Sequence, residues 1–161
     1  MNVFKQVEAE LKKNDLQIDS CDLNRPWGGF FVIKENDVQK FADIYFKGLN
    51  IENLRVAGKL SPKILLVKPK ARLSWQYHYR RAETWRIIRG PVKVVRSMDD
   101  IERHIDYFIE GEIVKLKQGE RHRLIGQDNW GIVAEFWQHT NSEQPSDEED
   151  IVRLQDDFLR T

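Results

Sequence analysis

The stretch Leu73–Trp85, LSWQYHYRRAETW, decides how the chain folds. Read as a strand, it places Ser74, Gln76, His78 and Arg80 on one face and Trp75, Tyr77 and Tyr79 on the other, because successive side chains point to opposite sides. One face is polar and the other aromatic. If the aromatic face packs into protein, the polar face looks into solvent or into a cavity, and a barrel interior gives it a chemical use. The Arg80–Ala82 segment then turns the chain back and brings Glu83 near His78. A second segment, LKQGERHRLIG at 116–126, repeats the device, with Gly119 permitting a tight turn and His122 opening the next strand. Two imidazoles, a carboxylate and the amide oxygen of Gln76 are a nitrogen and oxygen set suited to a first-row divalent metal.

Outward from this stretch the same pattern continues. Short β-branched and aromatic runs separated by turn residues recur at 28–35, 62–68, 72–79, 84–90, 92–97, 112–117, 121–126 and 130–137. Such spacing predicts an all-β, closed or double-sheet antiparallel fold. Before it, Val3, Val7 and Leu11 at four-residue spacing, with Lys12 and Lys13 behind them, predict a helix over 2–14. After it, Ile151, Leu154 and Phe158 follow the acidic run SDEED at helical spacing, predicting a loop and then a terminal helix. The 161 residues suit one domain. Its expected parts are a helical extension over 1–24, a barrel over 25–140, and a loop and helix over 141–161.

Lysine plus arginine equals aspartate plus glutamate at 26 each, which removes any global electrostatic argument for a nucleic-acid or membrane partner. The single cysteine, Cys21, excludes an internal disulfide framework and a cysteine-based zinc site, and it fits a reducing compartment. With no signal-like apolar segment at the start and no apolar run of spanning length, the expectation is a cytoplasmic protein.

Four motifs together carry a family likeness: RPWGGF at 25–30, LSWQYHYRRAETW at 73–85, GERHRL at 119–124 and EEDIVRLQDDFLR at 148–160. In this order they resemble the cupin module of type II mannose-6-phosphate isomerases. The resemblance implies a cupin double-stranded β-helix (a jelly-roll barrel) with short N- and C-terminal helices. It also implies one divalent transition metal, zinc first and manganese, nickel or iron as alternatives, and interconversion of mannose 6-phosphate and fructose 6-phosphate. Carried over residue by residue, the metal ligands fall on Gln76, His78, Glu83 and His122. Arg81 matches an arginine of the family motif and suits a sugar phosphate, and Lys63 and Arg153 also fall on family positions.

The chain departs from the pattern at three places. Arg80 stands where the first motif usually has a second histidine, Thr84 where a further histidine precedes the tryptophan, and Lys117 where the second motif has proline. Arginine stays protonated and cannot ligate a cation, so Arg80, sharing a face with His78, predicts either an anion beside the metal or a lost metal. Two functional classes follow: a metal-dependent sugar-phosphate isomerase, or a barrel that binds a sugar or sugar phosphate without turnover, with or without metal. No catalytic base is identified. His104 and His139 match no motif and are expected to face solvent, the five tryptophans are left unassigned between the core and a sugar-stacking platform, and Arg153 on a helix face would pair with nearby carboxylates. Exposed sheet edges predict pairing of two copies as a homodimer.

Overall fold

The computed structural model describes residues 2–161. Helix α1, Val3–Lys13, is capped by the Asn2 side chain, which accepts from the Lys5 amide at 2.9 Å, and it ends on Lys12 and Lys13 as the sequence predicts. Strands β1, Ile18–Arg25, and β2, Gly28–Ile33, form a hairpin. A short helix α2, Val38–Tyr45, follows, and the remaining strands are β3 (Lys63–Val67), β4 (Trp75–Tyr77), β5 (Arg81–Arg89), β6 (Val92–Ser97), β7 (His104–Phe108), β8 (Ile113–Leu116), β9 (Arg121–Gly126), β10 (Gly131–His139) and β11 (Val152–Gln155).

They form two antiparallel sheets, six strands in the order β1-β2-β3-β10-β5-β8 and five in the order β11-β4-β9-β6-β7. This is the double-sheet antiparallel fold that the strand spacing predicts, in the jelly-roll form that the family resemblance implies. Alternation along the six-stranded sheet divides the core in two. Phe31, Ile33, Ile64, Leu66, Ile132, Ala134 and Phe136 point outward and pack with Leu11 of α1 and Phe41 of α2. Phe30, Leu65, Val67, Trp85, Ile87 and Val133 point inward and meet Val92, Val94 and Leu124 of the other sheet. Because helices cover its outer face, β10 is buried on both sides and reads in sequence as a nearly continuous apolar run.

The terminal helix does not form. Residues 152–155 are instead a strand, β11, paired with β4 through Val152 and Tyr77. Two forces favour the extended form. The backbone of β11 satisfies the free edge of β4, and Arg123, fully buried on the outer face of β9, donates from Nη2 to the Gln155 carbonyl at 3.1 Å. The apolar spacing that suggested a helix has no buried face to serve, since Leu154 and Phe158 remain exposed.

Candidate metal and anion site

The open end of the barrel interior collects the polar residues. Strand β4 stops at Tyr77, the chain bends at Tyr79 and Arg80, and β5 starts at Arg81, so strict alternation ends before Arg80. His78 lies in this bend, Glu83 points inward from β5, and His122 points inward from β9 directly opposite Gln76. His78, Glu83 and His122 are only 2–4% exposed, and one ligand atom from each lies within 4.8 Å of the others.

Hydrogen bonds fix both rings. His78 Nδ1 donates to the Asp150 carbonyl at 2.6 Å and His122 Nδ1 to the Glu120 carbonyl at 2.9 Å, leaving both Nε2 atoms turned toward Glu83 at 3.1 and 3.5 Å. His122 Nε2 is buried with no hydrogen-bond partner. An orphaned ring nitrogen beside a buried carboxylate is costly unless something else occupies the gap. The donor set therefore fits a borderline divalent ion: two imidazole nitrogens with backbone-bonded outer nitrogens, one carboxylate, and the Gln76 amide adjacent. Gln76 Nε2 is 3.4 Å from His78 Nε2, while its Oε1 accepts from Ser74 Oγ at 2.7 Å.

Charge in the cluster is tightly balanced. Burial alone would raise the Glu83 pKa, but His78, Arg81 and His122 hold it well below the usual carboxylate range. Burial pushes His78 down despite Glu83, whereas at His122 the pull of Glu83 outweighs burial and raises the imidazole. Arg81, not Arg80, is the arginine in contact. Its Nε donates to Glu83 Oε1 at 2.9 Å, its Nη2 lies 3.2 Å from His78 Nε2, and its guanidinium carbon stacks 3.6 Å over the Trp137 ring. The Arg80 side chain turns instead toward Asp147 and Asp150, at 3.6 and 3.9 Å.

Lys63 is buried against the Trp137 ring that Arg81 also stacks on. Its Nζ lies 4.3 Å from the Phe30 ring centroid and 4.7 Å from that of Trp137, and it is ion-paired with Glu148. Arg153 stands opposite Gln76 in the β11–β4 ladder, but its Nη1 donates to the Thr161 carbonyl at 2.6 Å, so it makes the contacts of a strand residue rather than of a helix face.

Three buried polar residues escaped the sequence reading. Glu135, inward on β10, receives the indole N–H of Trp85 at 2.7 Å and of Trp137 at 2.8 Å, and burial followed by the Glu83 charge pushes its pKa up to about 8. His139, expected in solvent, is buried. It is held neutral by desolvation, accepting from the Ser146 amide at 2.9 Å and lying 3.0 Å from Ser61 Oγ. Asp150 receives the amides of Tyr79 and Arg80, both at 2.9 Å, and the Ser146 hydroxyl at 2.6 Å. For Glu135 the available signal was parity with Trp137 in a run, 131–137, that is otherwise wholly apolar. Asp150 lay within the acidic run read as leading into a terminal helix, where no single carboxylate stood out. Trp27, Trp75, Trp85 and Trp137 are core residues, and Trp130 is half-buried against Phe4. His104 is exposed.

The segment 140–151 forms a strap across this end of the barrel. Arg81 Nη1 donates to Ser146 Oγ and to the Asp147 carbonyl, both at 2.9 Å, and Thr140 N donates to the Arg80 carbonyl at 3.0 Å.

Residues 38–156 match the family described as mannose-6-phosphate isomerase, C-terminal. The chain belongs to this family. A mannose-1-phosphate guanylyltransferase of Salmonella montevideo is 34% identical over 160 residues, covering 99% of this chain and 28% of the relative. The alginate biosynthesis protein AlgA of Pseudomonas aeruginosa is 27% identical over 160 residues, covering 99% and 27%. The chain thus spans little more than a quarter of the length of these relatives. Among solved structures, oxalate decarboxylase from Bacillus subtilis superposes with a TM-score of 0.58 at 17% identity over 84% of this chain and 30% of that one. The capsular polysaccharide assembling protein CapF from Staphylococcus aureus gives 0.54 at 12% identity over 86% and 34%. These likenesses establish the cupin fold. No helix among the described residues is long and apolar enough to cross a membrane.

Proposed function

We propose that this chain is a cytoplasmic, metal-dependent cupin that binds a phosphorylated hexose and interconverts mannose 6-phosphate and fructose 6-phosphate. The observation that carries the metal part is the convergence of His78, Glu83 and His122 around an orphaned, buried His122 Nε2. His78, Glu83 and His122 would hold the ion, with the Gln76 amide oxygen as a further ligand. When bound, it would supply Lewis-acid stabilisation of the enediolate oxygens that aldose–ketose isomerisation generates. The protein's own residues provide orientation and charge. Arg81 and Lys63, both buried and backed by the Trp137 ring, form a dry cationic pair able to fix a phosphate monoester. Trp85 and Trp137 tie down both Glu135 oxygens, so that carboxyl braces the layer beneath the site and is not free to abstract a proton.

Access requires movement. The triad is almost wholly buried and the strap fastens to His78, Arg81 and Lys63, so a hexose phosphate reaches the site only after residues 146–150 lift. Elemental analysis of protein purified without chelators, followed by a coupled mannose 6-phosphate isomerase assay, tests the reading. Bound metal that is lost in His122→Ala, with turnover of mannose 6-phosphate far above that of mannose, is expected. A recognition barrel without turnover is the second reading. It is favoured by one specific contact, Arg81 Nη2 against the His78 Nε2 that a metal would need. Phosphosugar binding with no metal after reconstitution and no product would select it.

A further inference from the structure

Strand β7 is the outer strand of the five-stranded sheet, and among the described residues it pairs only with β6. Free edges invite pairing, and most are blunted by charge, irregular register or shortness. In this protein β1 carries Asp19, Asp22 and Arg25 with two register shifts, while β8 and β11 have four residues each. β7 is only partly protected, by the single carboxylate of Asp106, which Arg96 of the neighbouring strand already pairs. Its register with β6 is unbroken, and it contains neither lysine nor proline. Ile105 and Tyr107, on the face away from the barrel interior, are each 61% exposed. Ile101 and Ile109, near its two ends, are equally bare, which makes the strand the centre of an apolar strip.

We propose that two copies of this chain join edge to edge through β7, in an antiparallel ladder centred on Ile105. A two-fold axis perpendicular to a sheet keeps each face on its own side, so only registers centred on a residue are allowed. Centring on His104 sets Glu102 against Asp106 of the second copy. Centring on Asp106 sets two aspartates face to face. Like charges directly opposite are unfavourable. Centring on Tyr107 carries the ladder into the turn after Phe108, where the Ile109 amide is already taken by Glu112 at 2.7 Å. Centring on Ile105 has none of these faults. It stacks the two Ile105 side chains, faces His104 with Asp106 twice, and lays Arg103, oriented by Asp99 at 2.7 Å, against Tyr107 twice. Charge complementarity thus selects both the occupant, a second copy, and the register. The pairing involves none of the metal or anion residues, so it stands or falls separately from the isomerase reading.

The test uses the full chain in sedimentation equilibrium at micromolar concentration, where the wild type should be a dimer. Ile105→Lys should weaken self-association at least about tenfold, since the change sits at the centre of the contact. Its far-ultraviolet dichroism should be unchanged, because the side chain is exposed in the single copy. Register is read by cross-linking in a Cys21→Ser background, because Cys21 is itself exposed. Ile105→Cys should form an intermolecular disulfide readily, and Tyr107→Cys, whose two copies lie far from each other in this register, should not. A monomeric wild type, a dimer indifferent to Ile105→Lys, or equal cross-linking at both positions would each overturn the proposal.

Discussion

Replacing Arg81 with methionine should tighten metal binding, although it removes a buried residue beside the ligands. In the metal-free cluster Arg81 Nη2 lies 3.2 Å from His78 Nε2, while Nε holds Glu83 Oε1 at 2.9 Å. An arriving cation must displace the first of these contacts. A hydrogen bond involving a charged group contributes about 1.5–3 kcal/mol, so freeing the His78 lone pair in advance should improve metal affinity by roughly ten- to a hundredfold. Methionine preserves length and packs against Trp137. The same change leaves Glu83 with less positive charge in the metal-free protein and unfastens Ser146, so thermal stability without metal should fall by about 3 kcal/mol, the low end for breaking a buried pair, because His78 and His122 still face the carboxylate. Added metal should restore most of that loss. Calorimetric titration of zinc and manganese into chelator-stripped wild type and Arg81→Met, with thermal melts of each form, measures both effects. Weaker metal binding by the variant would refute the reasoning, because Arg81 would then be organising the ligands rather than competing for them.

Glu148→Gln should strengthen mannose 6-phosphate binding by up to about fivefold. It releases Lys63 from a half-exposed carboxylate, and such partly solvated pairs contribute at most about 1 kcal/mol; fluorescence titration on the site tryptophans reads the change. Arg80→His should leave metal affinity within about twofold, because the guanidinium points to Asp147 and Asp150 and one-decade effects need contact with the site; calorimetry showing a much larger gain would place residue 80 inside the cluster. Metal affinity should rise with pH. Burial lowers the His122 pKa but Glu83 raises it further, so below that raised value a proton must leave before metal binds, and affinity should fall by about tenfold per pH unit. The sign for the metal-free fold is opposite: the His122–Glu83 contribution is complete below the ordinary imidazole pKa and is lost as pH rises through the raised one. Metal titrations and melts at several pH values check both directions. Finally, a phosphosugar should increase metal affinity, measurable by repeating the metal titration with the sugar in excess.

The barrel was legible because its strands keep strict alternation where one face meets water and become continuous where both are covered, as in β10. His78, Glu83 and His122 were legible because a turn on either side of each motif returns the chain on itself. The failures share a physical origin in long-range contacts. Ile151, Leu154 and Phe158 have helical spacing, yet the free edge of β4 and the buried Arg123 make the extended form preferable. Parity misplaced Arg80 because the strand ends three residues earlier, where the Asp150 carboxylate takes the amides of Tyr79 and Arg80 and bends the backbone. Helix α2 did carry a signal, with Val38, Phe41, Ala42 and Tyr45 at helical spacing, but eight residues are too few to stand out. His139 resembles a stray surface histidine until the strap, distant in sequence from Ser61, closes over it.

Without an ion the Glu83 carboxylate already faces positive charge from Arg81 and His122, and this constrains the proposed site. Glu83 is matched by His122 and Arg81, Lys63 by Glu148, and Glu135 is held toward its neutral form. Adding two positive charges to this buried layer is unfavourable unless positive charge leaves or negative charge arrives. His122 can give up a proton, but Arg81 cannot lose its charge and can only turn away from His78. A phosphate monoester offers Arg81 a bidentate partner at the place where the strap now supplies the Ser146 hydroxyl and the Asp147 carbonyl. On the proposed function, anion binding would pull Arg81 off His78 and bring negative charge in the same movement. By linkage, each ligand must then strengthen the other to the same degree. On that proposal, strap opening, arginine rotation and metal capture would form one coupled equilibrium, with Arg81 as the residue common to all three.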